Sequence, residues 1–394
     1  MTPAARAQAA IELLDEIIAA AREGGAAADT LAQRYFKTRR YAGSKDRRAV
    51  RDLVFRAIRR AGDPPESGRA ALLGLAADDP ALPALFDGSP HGPAPVGEGE
   101  AAAPASLVPA WLAGRFDPAL GADELPALLE RAPLDLRVNA LRGTREEALA
   151  ALPEAGPTPH APLGLRLPEG FRVEPTETWA AGLVEVQDEG SQLLCLACEA
   201  RPGMIVVDLC AGAGGKTLAL AAAMGDSGRI LAADTDRGRL GRMAPRLARA
   251  GVGIVETRLL DPGREAAALA DLAGTADLVL VDAPCSGTGT WRRNPETRWR
   301  LTPDRLTRVV KLQAHLLDIA SELVRPGGHL VYAVCSLLAE EGRGQAASLE
   351  ARRSALVREM PAISVGRAAG PGRLLSPAAD GTDGFFVARW RRSC

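Results

Sequence analysis

Two cysteines carry the most chemical information in this chain. Cys285 lies in VLVDAPCSGTG and Cys335 in HLVYAVCSLLAEEG, each just past a short apolar run and each followed by serine. Short apolar runs of this kind predict buried strands, and ligands of an open α/β sheet bind beyond the carboxyl ends of its strands. A thiolate at that edge is a nucleophile, and two thiols suggest that attack on a substrate and release from it are separate tasks. Carbon 5 of a pyrimidine calls for such a pair. It is a poor nucleophile until a thiolate adds to carbon 6, and its proton must leave before the thiol can be expelled. Asp282, close to Cys285, suits the ring nitrogen and exocyclic amine of a cytosine, and Pro284 stiffens the loop. Methylation of an exocyclic nitrogen calls instead for an Asn or Asp, two prolines and an aromatic ring, which DAPCSG lacks.

A methyl donor needs its own site. VVDLCAGAGGKTLAL reads as a strand, a glycine-rich turn and a helix, with Cys210, Ala211, Gly212, Ala213, Gly214, Gly215 and Lys216 forming the turn. Glycines let the backbone approach a ligand, and the free N–H groups of a helix start attract anionic groups. A P-loop fails because Cys210 occupies its first glycine, and a dinucleotide fingerprint fails at Thr217. S-adenosylmethionine is the remaining reading. Asp234 after the second apolar run is then expected on the ribose, Asp261 after the third on the adenine edge, and Asp282 at the methionine end. One carboxylate at a strand end is often only a helix cap, but three at successive strand ends are harder to dismiss.

These groups need a sheet to position them. From Val184 onward MIVVDLC, RILAAD, GIVETRLL, DLVLVDAP and GHLVYAV alternate with helical segments, which predicts right-handed βαβ units and a mostly parallel, seven-stranded, Rossmann-like sheet over 181–394. FFVARWRR is expected as an antiparallel edge addition. Residues 107–180 mix a helix, the strand LDLRVNAL and a further helix, a small α+β unit. Residues 1–86 read as all-helical, and 87–106, rich in Pro, Gly and Ala, as a linker.

The net charge of −1 excludes a uniformly basic protein but conceals clusters. Arg34 to Arg60 holds eleven Lys or Arg against Asp46 and Asp52, and Arg292 to Lys311 holds seven against Glu296 and Asp304, so each is a candidate for a polyanion. A solvated helix face is the plain alternative. Six cysteines in 394 residues make no disulfide scaffold, and Cys195 and Cys198 read as helix packing. Four scattered histidines argue against a metal. No run is long and apolar enough for a transmembrane helix, and the N-terminal segment reads as an amphipathic helix, so a cytoplasmic protein without membrane partners is expected.

Taken together, VQDEGSQL, DLCAGAGGKT, DAPCSGTGTWRRNPE and YAVCSLLAEEG resemble the RNA cytosine-carbon-5 methyltransferases of the Sun type, and SKDRRAVRDLVFRAIRR resembles the NusB-type RNA-binding domain that precedes the catalytic part in one subgroup. The resemblance covers nearly the whole chain apart from the linker. It implies that Cys335 is the nucleophile, that Cys285 helps release the product, and that Lys216 steadies the active-site loops. It further implies S-adenosylmethionine as cofactor and RNA, ribosomal in this subgroup, as substrate of an expected monomer. Three positions depart from the family pattern: Ala213 stands for proline, Val334 for threonine and Gly342 for asparagine.

In this reading Arg47, Arg48 and Arg51 hold RNA backbone, Arg292, Arg293 and Arg298 position the target strand, and Trp291 or Trp299 either stacks on a base or belongs to the core. Two alternatives stay open: a DNA cytosine methyltransferase using Cys285, and an RNA-binding assembly factor on a degenerate fold.

Overall fold

The computed structural model describes every residue from Met1 to Cys394 and divides into two compact units. No helix is long and apolar enough to cross a membrane. The first unit comprises Met1–Arg115, Leu125–Glu130 and Thr290–Pro303. Its frame is four helices: α1 (Pro3–Glu23), α2 (Ala28–Thr38), α3 (Ser44–Arg60) and α4 (Gly68–Ala76). Thr2 caps α1 by accepting the Ala5 N–H, and Gly24 ends it in the left-handed region at φ +79°. Leu13, Leu14 and Ile17 of α1 join Val50, Val54 and Ile58 of α3 and Leu72 of α4 in one core.

Residues 87–106 have little regular structure, yet they are not a free tether. Arg60 donates to the Ala103 carbonyl at 2.7 Å, the Ser106 N–H donates to the Arg60 carbonyl at 3.0 Å, and Arg69 pairs with Glu100. Composition marks such a stretch as unable to form its own core, but says nothing about what its backbone can bond to.

The bundle is completed by a segment far away in sequence. Trp299 is buried among the α1–α4 core residues and donates to the Ala61 carbonyl at 2.8 Å. Glu296 accepts the Ala28 N–H at 3.1 Å, capping α2, whose own N-cap residue is an alanine. Arg298 donates to the carbonyls of Ile58 (2.6 Å), Arg59 (3.2 Å) and Leu107 (2.6 Å). Burial, with help from the Arg59 charge, pulls its guanidinium down to about 10.

The second unit comprises Phe116–Glu124, Arg131–Gly289 and Asp304–Cys394. It holds a small antiparallel sheet of β1 (Leu134–Val138), β2 (Gly156–Pro157), β3 (Gly164–Leu167) and β4 (Val184–Val186), in the order β2-β3-β1-β4. β4 pairs with β1, so the small sheet extends past the boundary expected at residue 180. The main sheet contains β5 (Ile205–Asp208), β6 (Arg229–Asp234), β7 (Val255–Leu259), β8 (Ala276–Asp282), β9 (Val324–Val334), β10 (Leu356–Glu359), β11 (Arg367–Ala369), β12 (Gly372–Leu375) and β13 (Phe385–Arg392).

The expected α/β fold is present. Strands β7-β6-β5-β8-β9 run parallel in that order, and β13, β12 and β11 follow antiparallel. Strands β6 and β8 flank β5, which puts a topological switch point beside β5, and a crevice opens there at the carboxyl ends. The sheet has nine strands rather than seven, because β11 and β12 are too short to show periodicity in the sequence. The FFVARW strand is interior, not an edge: β9 pairs with one side, β12 and β10 with the other.

Replacing Arg298 by alanine strips donors from four backbone carbonyls, that of Pro295 included, and is expected to lower stability by about 3 kcal/mol. Urea unfolding followed by tryptophan fluorescence reads this as a lower midpoint, and an unchanged midpoint contradicts the closure described.

Candidate active site

The glycine-rich turn is shaped by what surrounds it. Gly212 (φ +56°) and Gly214 (φ +85°) both lie in the left-handed region. A Cβ at Gly212 would meet the Arg239 guanidinium at 2.4 Å, and one at Gly214 would meet the Met243 side chain at 2.7 Å. The turn is therefore limited to glycine at both places by conformation, and at Gly214 also by the buried Met243 side chain, whereas the Arg239 guanidinium can swing aside from Gly212. Asp234, at the end of β6, accepts the Gly212 N–H at 2.8 Å through one carboxylate oxygen and the Asp236 N–H at 2.8 Å through the other. Asp208 ends β5 fully buried. Burial pushes its carboxyl up to about 7, against the opposing hydrogen bond that Thr217 donates at 2.7 Å.

From the first turn of the helix Gly215–Ala223, Lys216 donates to Asp282 Oδ2 at 2.6 Å. Burial alone would lower the Lys216 ammonium, but the Asp282 charge and hydrogen bond, with the charges of nearby cysteines, raise it above its ordinary value. Lys216 thus stays a cation, and Asp282 Oδ1 carries no hydrogen bond.

Cys285 and Cys335 face one another with sulfurs 3.3 Å apart, and both are free thiols. The hydrogen bond with Cys335, then burial, then the charges of Cys335 and Glu341 push the Cys285 thiol well up. Cys285 is therefore held toward its protonated form beside the Cys335 sulfur, with either thiol able to donate in the contact.

What holds the two sulfurs at this spacing is a carboxylate outside the residues that the sequence motifs single out. Glu341 is fully buried without a cationic partner. It accepts the Ser286 N–H at 2.8 Å, the Ser336 hydroxyl at 2.5 Å, the Gln313 amide at 2.9 Å and the Ser286 hydroxyl. One side chain thus bridges both Cys-Ser dipeptides, and four donors compensate its charge. A signal for it exists in the chain, since both cysteines precede serines and the pair EE follows soon after Cys335.

A cavity of about 450 Å³ at the carboxyl edge is lined by Cys210, Asp234, Asp282, Cys285 and Cys335. Five of the expected site residues are therefore together. Ala211, Gly212, Ala213, Gly214 and Gly215 build the turn behind them rather than the wall. Asp261 does not join: it is exposed, and its neighbour Leu260 lines the cavity instead. The acidic side chains at that end are Asp236 and Glu265, the latter buried and 3.2 Å from His315. Spacing after an apolar run locates a strand end but not which of several nearby carboxylates turns inward.

The basic candidates separate in the same way. Arg47 donates to the Ala42 carbonyl at 2.8 Å, and Arg51 pairs with Asp29 at 2.5 Å. Arg48 is exposed without an ion pair. Arg292 is buried and Arg293 half-buried. Arg298 is corrected outright: with no exposed surface and its nitrogens on backbone carbonyls, it cannot reach a phosphate. Trp291 and Trp299 are both buried, which leaves them to the core rather than to base stacking. Cys195 and Cys198 are buried as helix packing, each thiol on a carbonyl one turn back.

Two departures from the family pattern acquire physical reasons. Val334 is fully buried opposite Phe386, so it fills core space. A Cβ at Gly342 would meet the Phe386 ring at 2.9 Å, so the absent side chain makes room for that ring.

Comparison with known proteins places this geometry. Residues 195–391 match the family described as 16S rRNA methyltransferase RsmB/F, and residues 108–174 match the ferredoxin-like domain of RsmF/B-like methyltransferases. Ribosomal RNA small subunit methyltransferase B of Salmonella arizonae is 35% identical over 291 residues, covering 72% of this chain and 66% of the relative. A probable ribosomal RNA small subunit methyltransferase B of Synechocystis is 35% identical over 251 residues, covering 60% and 55%. The matches thus span just under two thirds of the first relative and about half of the second. Among solved structures, NSun6 from Pyrococcus horikoshii with SFG covers 68% of this chain and 93% of that one, with a TM-score of 0.61 at 20% identity, a likeness of fold. A methyltransferase homologue from the same organism covers 68% and 89%, with a TM-score of 0.60 at 29% identity.

Glu341→Gln removes a negative charge that helps to hold the Cys285 proton. The pH midpoint for alkylation of Cys285, followed by peptide mass spectrometry, is expected to move down. An unmoved midpoint would show that Glu341 does not act on the thiol pair.

Proposed function

The chain belongs to the RsmB/F family of 16S rRNA methyltransferases, and from that premise we propose that it methylates carbon 5 of a cytosine in small-subunit ribosomal RNA through a covalent bond from Cys335 to the base. The observation that carries this reading is the pair of thiols 3.3 Å apart on one cavity wall, at the ends of adjacent parallel strands.

The donor set fits S-adenosylmethionine. Asp234 would hold the ribose hydroxyls, Gly212 and Gly214 would let the turn's backbone approach the ligand, and Asp282 with Lys216 would meet the amino-acid end. When bound, this cofactor would supply an electrophilic methyl group whose carbon bonds to carbon 5 of the activated base as the methyl–sulfur bond breaks, the electron pair staying on sulfur.

The remaining chemistry belongs to the protein. Asp282 Oδ1, which carries no other hydrogen bond, accepts from the exocyclic amine of a cytosine, whereas the corresponding oxygen of a uracil would face the carboxylate as a second acceptor. The Cys335 sulfur adds to carbon 6, and the electron pair of the C5–C6 double bond becomes available at carbon 5. After methylation the proton on carbon 5 passes to a solvent water, its electron pair re-forms the C5–C6 double bond, and the bond from carbon 6 to Cys335 breaks with its electrons on the sulfur. Cys285, whose raised thiol lies 3.3 Å from Cys335, gives its proton to the departing sulfur and regains one from solvent. Attack and release thus fall to different thiols, and the raised Cys285 suits release.

A base buried in a cavity of this kind must be unpaired or turned out of a helix, so the target is expected in a loop or an opened strand.

On RNA, Cys335→Ala is expected to abolish transfer of label from radiolabelled donor. Cys285→Ala is expected to accumulate a covalent protein–RNA complex that survives denaturing electrophoresis. Full activity in Cys335→Ala would overturn the assignment.

A further inference from the structure

The ion pairs of the helical unit leave one region conspicuously without partners. Tyr41, in the turn between α2 and α3, is 73% exposed, the most exposed large apolar side chain of the chain. Around it in sequence, Arg34, Lys37, Arg40, Lys45 and Arg48 are all exposed and form no ion pair. No acidic residue occurs between Thr30 and Lys45. Three carboxylates of the same unit are already engaged: Asp46 pairs with the Met1 ammonium at 3.3 Å and Arg6 at 2.8 Å, Asp29 with Arg51, and Glu12 with Arg39 at 3.1 Å while accepting the Tyr35 hydroxyl at 2.7 Å. Five cations within seven residues of a bare aromatic ring in the chain therefore face solvent without an ion pair. Tyr41 also forms part of the wall of an open groove of about 830 Å³ that includes Tyr35, Gln8 and His91.

Left alone, an exposed ring amid unpaired cations costs apolar hydration and charge repulsion. A ligand that offers both phosphates and flat π-faces relieves both. We propose that this surface binds an unpaired RNA strand, with a base stacked on Tyr41 and the backbone held by the five cations. The proposal rests on the RNA substrate argued above and names the form of RNA that the helical unit takes. A duplex is disfavoured as occupant because its base faces are stacked inside and unavailable to the ring. This surface differs from the one the sequence suggested. Arg47 and Arg51 are spent on the Ala42 carbonyl and on Asp29, and only Arg48 is common to both.

Fluorescence anisotropy of the full-length chain with a labelled single-stranded oligoribonucleotide, and with the same sequence as a duplex, tests this without donor or turnover. Tyr41→Ala is expected to weaken single-strand binding by about 5- to 100-fold, the range for removing the ring under one stacked base, while Tyr41→Phe retains it. Lys37→Ala and Arg40→Ala are each expected to flatten the dependence of log affinity on log salt by about 0.7 for each phosphate no longer neutralised. Unchanged affinity in Tyr41→Ala, or a duplex that binds as tightly as the single strand, would overturn the proposal. Tyr41-dependent RNA binding without methyl transfer would sink the enzymatic reading alone. Methyl transfer with Tyr41-independent binding would sink this surface alone.

Discussion

The parallel pairing of β8 with β9, with Asp282 beside Ala333, is the constraint on which the site depends. Because the two strands end side by side, the loops that follow them must leave the sheet together. Cys285 comes three residues after Asp282 and Cys335 two after Ala333, so both sulfurs emerge at one edge. Strand pairing alone sets this to within a few ångströms. Glu341 refines it, tying Ser286 to Ser336 and accepting the amide of Gln313, which also reaches the Pro284 carbonyl. A buried carboxylate without a cation is costly unless hydrogen-bonded, so the loops that satisfy it are not free to separate.

The same edge joins the glycine-rich turn to the first cysteine loop. Lys216 stands on the helix that follows the glycine-rich turn, and Asp282 ends the strand that leads into the first cysteine loop. Their ion pair spans the switch point between β5 and β8, linking the donor turn to the loop of Cys285. Lys216 is mostly buried in this pair, while Asp282 stays 29% exposed toward the cavity.

Much of this is legible in the sequence because it is local. Apolar runs followed by DLC, AAD, DAPC and AVCS locate four strand ends, and the glycines at 212 and 214 announce a turn with positive φ. What is not legible depends on long-range partners. Asp261 and Asp234 look alike in sequence, but only the second finds backbone N–H groups across the turn and lines the cavity. The basic run after Trp291 reads as a charged strand. Its Arg298, Trp299 and Glu296 instead complete the helical unit, a role set by carbonyls and N–H groups some 190 to 270 positions away in the chain. The short β11 and β12 and the interior place of β13 likewise carry no periodic signal that separates them from an edge.

The proposed division of labour between the thiols is open to direct measurement. An oligoribonucleotide carrying 5-fluorocytidine at the target base tests it directly, since fluorine on carbon 5 cannot leave as a proton and the protein stays bound. Peptide mass spectrometry of the trapped complex is predicted to find the nucleotide on the Cys335 sulfur. Finding it on Cys285 would contradict the account.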